Sequence, residues 1–202
     1  MKLYHVARTR SVRVLWLLEE LGLDYELETM PFDPKALQSV DYLALSPFGK
    51  VPVLVDGGQT LFESVAIMQY LLYHYGEGAL QPDEQAPEYG QFLQWMHFGE
   101  ATLMGAMTLL IQHSMSLPEA ERDERSAARG KRQLHHYATV IDKALEGHDY
   151  MVGDEFTAAD ISVGYAFFLA KLFRVFPDDC PNLTAWFDRL MERPAYQAAT
   201  AA

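Results

Sequence analysis

The spacing of apolar and polar residues along this 202-residue chain changes character once, in the region of residues 76–87. Before it, short apolar runs alternate with one amphipathic stretch. Lys2 to Val6 predicts a strand, and Ser11 to Leu21 predicts a helix with Gly22 as its C-terminal cap. Tyr25 to Glu28 alternates apolar and acidic residues and predicts a second strand, so the opening unit is strand–helix–strand with a parallel crossover. Pro31 to Ser46 reads as a loop holding one helical stretch around Leu37 to Ala44. Val51 to Val55 and the run starting at Leu61 predict an antiparallel hairpin, and Val65 to about Tyr75 predicts a helix. Gly76 to Pro87 is rich in Gly, Pro and acidic residues and predicts a linker. Beyond it only helical periodicity remains, over Tyr89 to Met115, Arg125 to Leu145, Ala158 to Phe173 and Leu183 to Met191. The expected organisation is an α/β domain over 1–78, a linker over 79–87, and an all-helical domain over 88–202.

One stretch carries chemistry beyond packing: Ser46-Pro-Phe-Gly-Lys-Val-Pro-Val-Leu-Val55, a tight turn at Asp56-Gly-Gly58, then Leu61-Phe-Glu-Ser64. Pro52 conflicts with a central strand, because proline cannot donate to a ladder. The conflict resolves if Val51–Pro52 is a cis bond at a strand mouth and the backbone of Val51 faces a ligand. An extended edge of this kind pairs with a peptide backbone, and a helix N-terminus about a dozen residues later holds a carboxylate. Ser64 also suits a plain helix cap. Glu63 beside it adds a partner for an amine, which a cap does not require. A small acidic peptide fits this site.

Composition narrows the class. Half the residues are apolar and 22% are charged, the balance of an ordinary globular protein. A net charge of −12 argues against a nucleic-acid groove or an anionic membrane as partner. The single cysteine, Cys180, excludes an internal disulfide framework and a CxxC redox pair. The N-terminus lacks a signal-peptide core and no apolar run approaches ~18 residues, so a cytoplasmic location is expected. No His pair has metal-ligand spacing, and no metal is expected.

The order of these elements resembles the cytosolic glutathione transferase family over essentially the whole chain. Three segments carry the resemblance: Ser46-Pro-Phe-Gly-Lys-Val-Pro-Val-Leu54, Phe62-Glu-Ser-Val-Ala-Ile67 and Phe156-Thr-Ala-Ala-Asp-Ile-Ser162, with Pro181-Asn-Leu-Thr-Ala-Trp186 and Arg193-Pro-Ala-Tyr196 closing the chain. It implies a thioredoxin-like first domain followed by a helical bundle, a homodimer, and glutathione as co-substrate alongside a hydrophobic electrophile. It also implies that Val51, next to Pro52, pairs through its backbone with the cysteinyl unit of glutathione. Lys50 then stands near the glycyl carboxylate, and Glu63 and Ser64 hold the γ-glutamyl end.

The hydroxyl that would serve the thiol stays open. A free thiol has a pKa near 8.5 and needs a donor or positive potential to exist as thiolate at neutral pH. Counted back from Gly22, Thr9 falls where serine-using relatives keep Ser, and Arg10 falls where cysteine-using relatives keep Cys. Ser11 and Tyr4 are the other hydroxyls in the segment. Ser11 also suits the N-cap of the first helix, and Tyr4 suits core packing. Arg8, Arg10 and Arg13 make this corner basic, and Arg13, a turn into the helix, is expected at the surface or an interface.

In the second domain Thr157 to Asp160 resembles a capping box with Asp in place of Glu, a folding signal rather than a catalytic one. Met104, Met107, Thr108 and Tyr165 are candidates to line a hydrophobic co-substrate pocket, with core packing as the competing reading. A glutathione-conjugating or peroxide-reducing enzyme is the expectation. The alternatives are a non-catalytic relative, which Thr9 in place of Ser invites, and a glutathione-dependent isomerase or dehalogenase.

Overall fold

The structure, a computed structural model, describes all 202 residues and divides into two compact units. The first comprises residues 1–80 and 191–202, the second residues 81–190.

In the first unit β1 (Lys2–His5), α1 (Ser11–Leu21), β2 (Glu26–Thr29), β3 (Val53–Asp56), β4 (Gln59–Phe62) and α4 (Ser64–Tyr75) form a four-stranded mixed sheet with helices, in the order β2-β1-β3-β4. β1 and β2 are parallel, and β3 runs antiparallel to both β1 and β4. This is the expected thioredoxin-like arrangement. Gly22, at φ 61°, ends α1, and the Leu23 N–H closes back on the Leu18 carbonyl at 3.1 Å. A left-handed residue at this point favours glycine, which has no Cβ to clash. Every α1 residue from Ser11 to Leu18 is buried, because the helix packs on β1, on α4 and on α10 (Pro194–Ala201).

The last helix corrects the expected boundary. The domain expected over 88–202 loses residues 191–202 to the first unit, where α10 lies on α1. The Arg193 guanidinium grips the Glu20 carboxylate with two bonds of 2.6 and 2.7 Å, and Tyr196 stacks edge-on against Trp16 at 5.0 Å. An Ala-rich tail gives little pattern of its own, so only these long-range partners decide its place.

Other boundaries also shift. The single helical stretch expected around Leu37 to Ala44 is two short helices, α2 (Pro34–Leu37) and α3 (Val40–Leu45). Asp33 and Ser39 each cap one, accepting from Lys35 N–H and Tyr42 N–H. The strand expected from Val51 starts at Val53, which leaves Pro52 outside the ladder and removes its conflict with strand pairing.

In the second unit α5 (Tyr89–Phe98), α6 (Met104–Ile111), α7 (Glu124–Ala144), α8 (Ala158–Leu172) and α9 (Pro181–Met191, its last residue in the first unit) build the helical domain. The one long helix expected over Tyr89 to Met115 is broken by π-helical turns at residues 99–103 and 112–116. The first begins at Gly99, where a Cβ would lie 2.5 Å from Ser162 Oγ on α8. Close approach of the two helices at this point leaves no room for a side chain and requires glycine. The Asp160 carboxylate accepts from the Thr157 backbone N–H at 2.9 Å, completing the capping box, while Phe156 packs edge-on against Tyr150. No helix is long and apolar enough to cross a membrane.

Candidate functional site

Strand directions bring three loops to one end of the sheet. β1 runs toward residues 6–10, β3 antiparallel to it starts just after Val51-Pro52, and β4 ends at Glu63-Ser64. Cross-strand neighbours Tyr4, Val53 and Phe62 fix that register. The candidate residues Thr9, Ser11, Lys50, Val51, Pro52, Glu63 and Ser64 therefore cluster, although up to 55 positions separate them in sequence.

The turn ahead of β3 is held from behind. Ser46, buried, accepts from the Lys50 N–H at 3.0 Å and donates to the Lys50 carbonyl at 2.8 Å, and the Tyr42 hydroxyl donates to the same carbonyl at 2.8 Å. Burial pushes the Tyr42 phenol up to about 12, so it stays a donor. Gly49, at φ 59°, packs so tightly that a Cβ would sit 2.6 Å from the Leu37 carbonyl. These clamps fix the chain direction into Val51–Pro52, which is cis as expected. The backbone N–H and C=O of Val51 make no hydrogen bond within the protein. Lys50 is exposed beside them.

Glu63 has φ 74° and ψ 107°, a conformation that costs a non-glycine residue roughly 1–3 kcal/mol. Such strain persists where surrounding structure enforces it, commonly at binding sites. It also corrects the capping expectation. Glu63, not Ser64, occupies the N-cap position, and no side chain caps α4. Ser64 is the first helical residue, with its hydroxyl buried, and Arg13 Nη1 lies 3.4 Å from Ser64 Oγ.

Arg13 corrects a second expectation. It is fully buried instead of lying on the surface, which places a guanidinium behind the α4 N-terminus. The signal was present in the sequence: a lone arginine inside the apolar run Val12 to Leu18 cannot reach solvent when the helix is covered on all sides.

The β1–α1 corner holds a hydroxyl cluster. Arg8 turns it with φ 64°. Thr9, half-buried, lies with Oγ1 2.8 Å from the Val6 carbonyl, to which it donates, and 2.9 Å from Ser11 Oγ. Ser11 is fully buried. It accepts from the Val6 N–H at 3.2 Å, lies within 3.1 Å of the Val6 carbonyl, and sits 2.9 Å from His5 Nδ1. Arg10 holds the N-cap position of α1 and contributes no side-chain cap bond, so Ser11 is not the cap. Tyr4 is half-buried with its ring tilted on Tyr42 at 5.8 Å. His5 escaped the sequence reading, although its place two residues after Leu3 on a strand turns it to the same inner face.

The remaining candidates lie in the helical unit. Met104, Met107 and Tyr165 are buried, and Thr108 is half-buried. An open cavity of about 430 Å³ occurs in this unit between Leu145, His148, Asp154, Trp186 and Arg189, and none of the candidate residues lines it. Its polar groups meet partners locally, the Arg189 guanidinium pairing with Asp149 at 2.8 Å and His148 Nδ1 lying 3.5 Å from Asp154.

Similarity to known proteins agrees with this geometry. Residues 1–73 match the family model of the glutathione S-transferase N-terminal domain, and residues 98–194 match that of the C-terminal domain. Glutathione S-transferase 3 of Schizosaccharomyces pombe is 31% identical over 98% of this chain and 85% of its own length. Glutathione S-transferase GstB of Escherichia coli is 32% identical over 93% and 90%, respectively. A theta class glutathione S-transferase from Xanthomonas axonopodis pv. citri, solved with glutathione bound, is 33% identical with a TM-score of 0.85, covering all of this chain and 97% of its own. A thioredoxin-like sheet followed by a helical domain is thus shared with a protein solved with glutathione bound. The chain belongs to the glutathione S-transferase family, and its enzyme class is accordingly glutathione transferase.

Proposed function

We propose that the protein binds glutathione at this end of the sheet, holds it as thiolate, and uses the sulfur to attack an electrophilic carbon, or to reduce a peroxide, in a hydrophobic compound. The unpaired backbone of Val51 carries the proposal. It offers one donor and one acceptor to the cysteinyl unit, and backbone pairing fixes the thiol's direction whatever the side chain. The γ-glutamyl carboxylate takes the uncapped N–H groups of α4 and the Ser64 hydroxyl, with the Arg13 charge behind them. Glu63 receives the α-amine, and Lys50 pairs with the glycyl carboxylate.

Thr9 is the donor to sulfur in this reading. Thr9 is half-buried, whereas Ser11 is enclosed and Tyr4 is packed on Tyr42. A hydroxyl donor and positive potential both favour the thiolate over the thiol. In conjugation the thiolate forms a C–S bond while the electrophile loses its leaving group or opens its ring, the thiol proton having passed to water. Of the candidates for the hydrophobic site, Met104, Met107 and Tyr165 are packed in the helical core and Thr108 is half-buried, so Thr108 is the one kept as a lining residue, and the protein works as a cytoplasmic homodimer. Phe48 and Phe62, exposed and packed edge-on at 5.6 Å beside the peptide edge, suit burial against a second copy.

Calorimetric titration tests the binding half. Ser64→Ala removes a bond to a charged carboxylate, about 1.5–3 kcal/mol, so glutathione affinity should fall roughly ten- to a hundredfold. Unchanged affinity in a folded variant would remove Ser64 from the site. A turnover screen with glutathione against aryl halides, epoxides, enones and hydroperoxides tests the chemical half, and activity on none of them would contradict it.

A further inference from the structure

Three buried or half-buried polar side chains run in line from the interior to the candidate thiol site. His5 Nδ1 lies 2.9 Å from Ser11 Oγ, and Ser11 Oγ lies 2.9 Å from Thr9 Oγ1. Only Thr9 reaches toward solvent. We propose that His5 is a positioning residue, held as the Nδ1–H tautomer, that heads a one-way donor chain through Ser11 to Thr9 and aims the Thr9 hydroxyl outward at a bound thiolate. The inference rests on the reading of Thr9 as donor to sulfur.

Hydrogen-bond accounting supports it. Ser11 has one proton and two lone pairs. The Val6 N–H already occupies one lone pair. If Nδ1 is bare, that buried nitrogen at 2.9 Å competes with the Val6 carbonyl at 3.1 Å for the Ser11 proton, and a Ser11 lone pair stays open to draw the Thr9 proton inward. If Nδ1 carries the proton, it fills the second lone pair of Ser11. The Ser11 proton then goes to Thr9 Oγ1 at 2.9 Å or to the Val6 carbonyl at 3.1 Å, and in either case Ser11 has no lone pair left for Thr9, so the Thr9 proton must point elsewhere, to the Val6 carbonyl or to an arriving anion. The Val6 carbonyl also accepts from the Thr9 N–H at 3.3 Å and is not stranded when the hydroxyl turns away.

The far side of the ring points to the same tautomer. His5 Nε2 is enclosed and closes no hydrogen bond. An Nε2–H would be a buried donor with no acceptor in hydrogen-bond geometry, only the weaker pull of the Ala202 main chain, and folded proteins avoid such a donor more strictly than a bare lone pair. Burial lowers the His5 pKa below its ordinary value, outweighing an opposing pull from the Ala202 main chain, so the ring is neutral and has a single proton to place. A chain of hydrogen bonds polarises its last member, strengthening it by about 10–30% per link.

Two measurements decide it. Long-range proton–nitrogen correlation spectra of the ligand-free protein assign the His5 tautomer without reference to glutathione. Protonated Nδ1 is expected, and protonated Nε2 would overturn the proposal. Ultraviolet titration of the bound thiol then compares variants. His5→Phe fills the ring's space without a donor, and should raise the thiol pKa by roughly 0.2 to 0.6. His5→Asn restores an N–H near the Nδ1 position and should bring the value back toward the parent. Ser11→Ala cuts the same chain and should give no further rise on top of His5→Phe. If Thr9→Val raises the pKa and His5→Phe does not, the chain is wrong while Thr9 stands. If neither moves it, Thr9 is not the donor and the chain falls with it.

Discussion

Replacing Asp160 by alanine should cost the helical unit more than any other single change considered. Its carboxylate is wholly buried and receives four hydrogen bonds. Met151 N–H (2.9 Å) and Trp186 Nε1–H (2.8 Å) reach Oδ1, while Thr157 N–H (2.9 Å) and Thr157 Oγ1 (3.1 Å) reach Oδ2. One side chain thus ties the loop at Met151, the start of α8 and the indole on α9 together. Alanine leaves three N–H groups buried without an acceptor, at about 1–3 kcal/mol each. Burial raises the Asp160 pKa, the sign that the charge itself is held at a cost, and its removal returns part of that sum. The net loss should be roughly 3–5 kcal/mol. Asp160→Asn keeps an acceptor for Met151 and Trp186 but turns an amide toward the Thr157 N–H, and should lose about 1–3 kcal/mol. Urea unfolding followed by tryptophan fluorescence reads both, with Trp186 as a local reporter. If Asp160→Ala lies within 1 kcal/mol of the parent, or Asn is worse than Ala, the accounting is wrong.

Two other outcomes are expected. Burial, reinforced by the Asp179 and Asp142 carboxylates, pushes the Cys180 thiol up to about 11. At pH 8 its reaction with a disulfide reagent should therefore be at least roughly a hundredfold slower in the native chain than in urea, and equal rates would refute it. Gly130→Ala places a Cβ 2.6 Å from the Leu110 backbone nitrogen, where α7 crosses α6. Crowding of about 1–3 kcal/mol should exceed the helix-propensity gain of about 1 kcal/mol, so the melting temperature should fall rather than rise.

Much of this was legible in the residues because it is local. Gly22 after a helical period, Asp56-Gly-Gly58 between two apolar runs, and Thr157 three residues before Asp160 each specify their geometry within a few positions. The cis bond at Val51–Pro52 was legible from Pro52 alone, whose missing N–H had to be explained. What escaped depends on partners far along the chain. Arg13 is buried because α1 is covered by α4 and by α10 from the far end, which no window around residue 13 reveals. The π-helical turns at Gly99 and Gln112 have no periodicity signature of their own. Ser11 read as a cap because serine favours caps; the structure instead places it beneath Thr9, against His5.

The central claim is that glutathione bound at this edge is a thiolate stabilised by Thr9. Ultraviolet absorbance of the thiolate, followed against pH in the glutathione complex, tests it most directly. The bound thiol should titrate clearly below the roughly 8.5 of a free thiol, and Thr9→Val should move it back up. A bound thiol that titrates like free glutathione, or a Thr9→Val complex indistinguishable from the parent, would contradict the account.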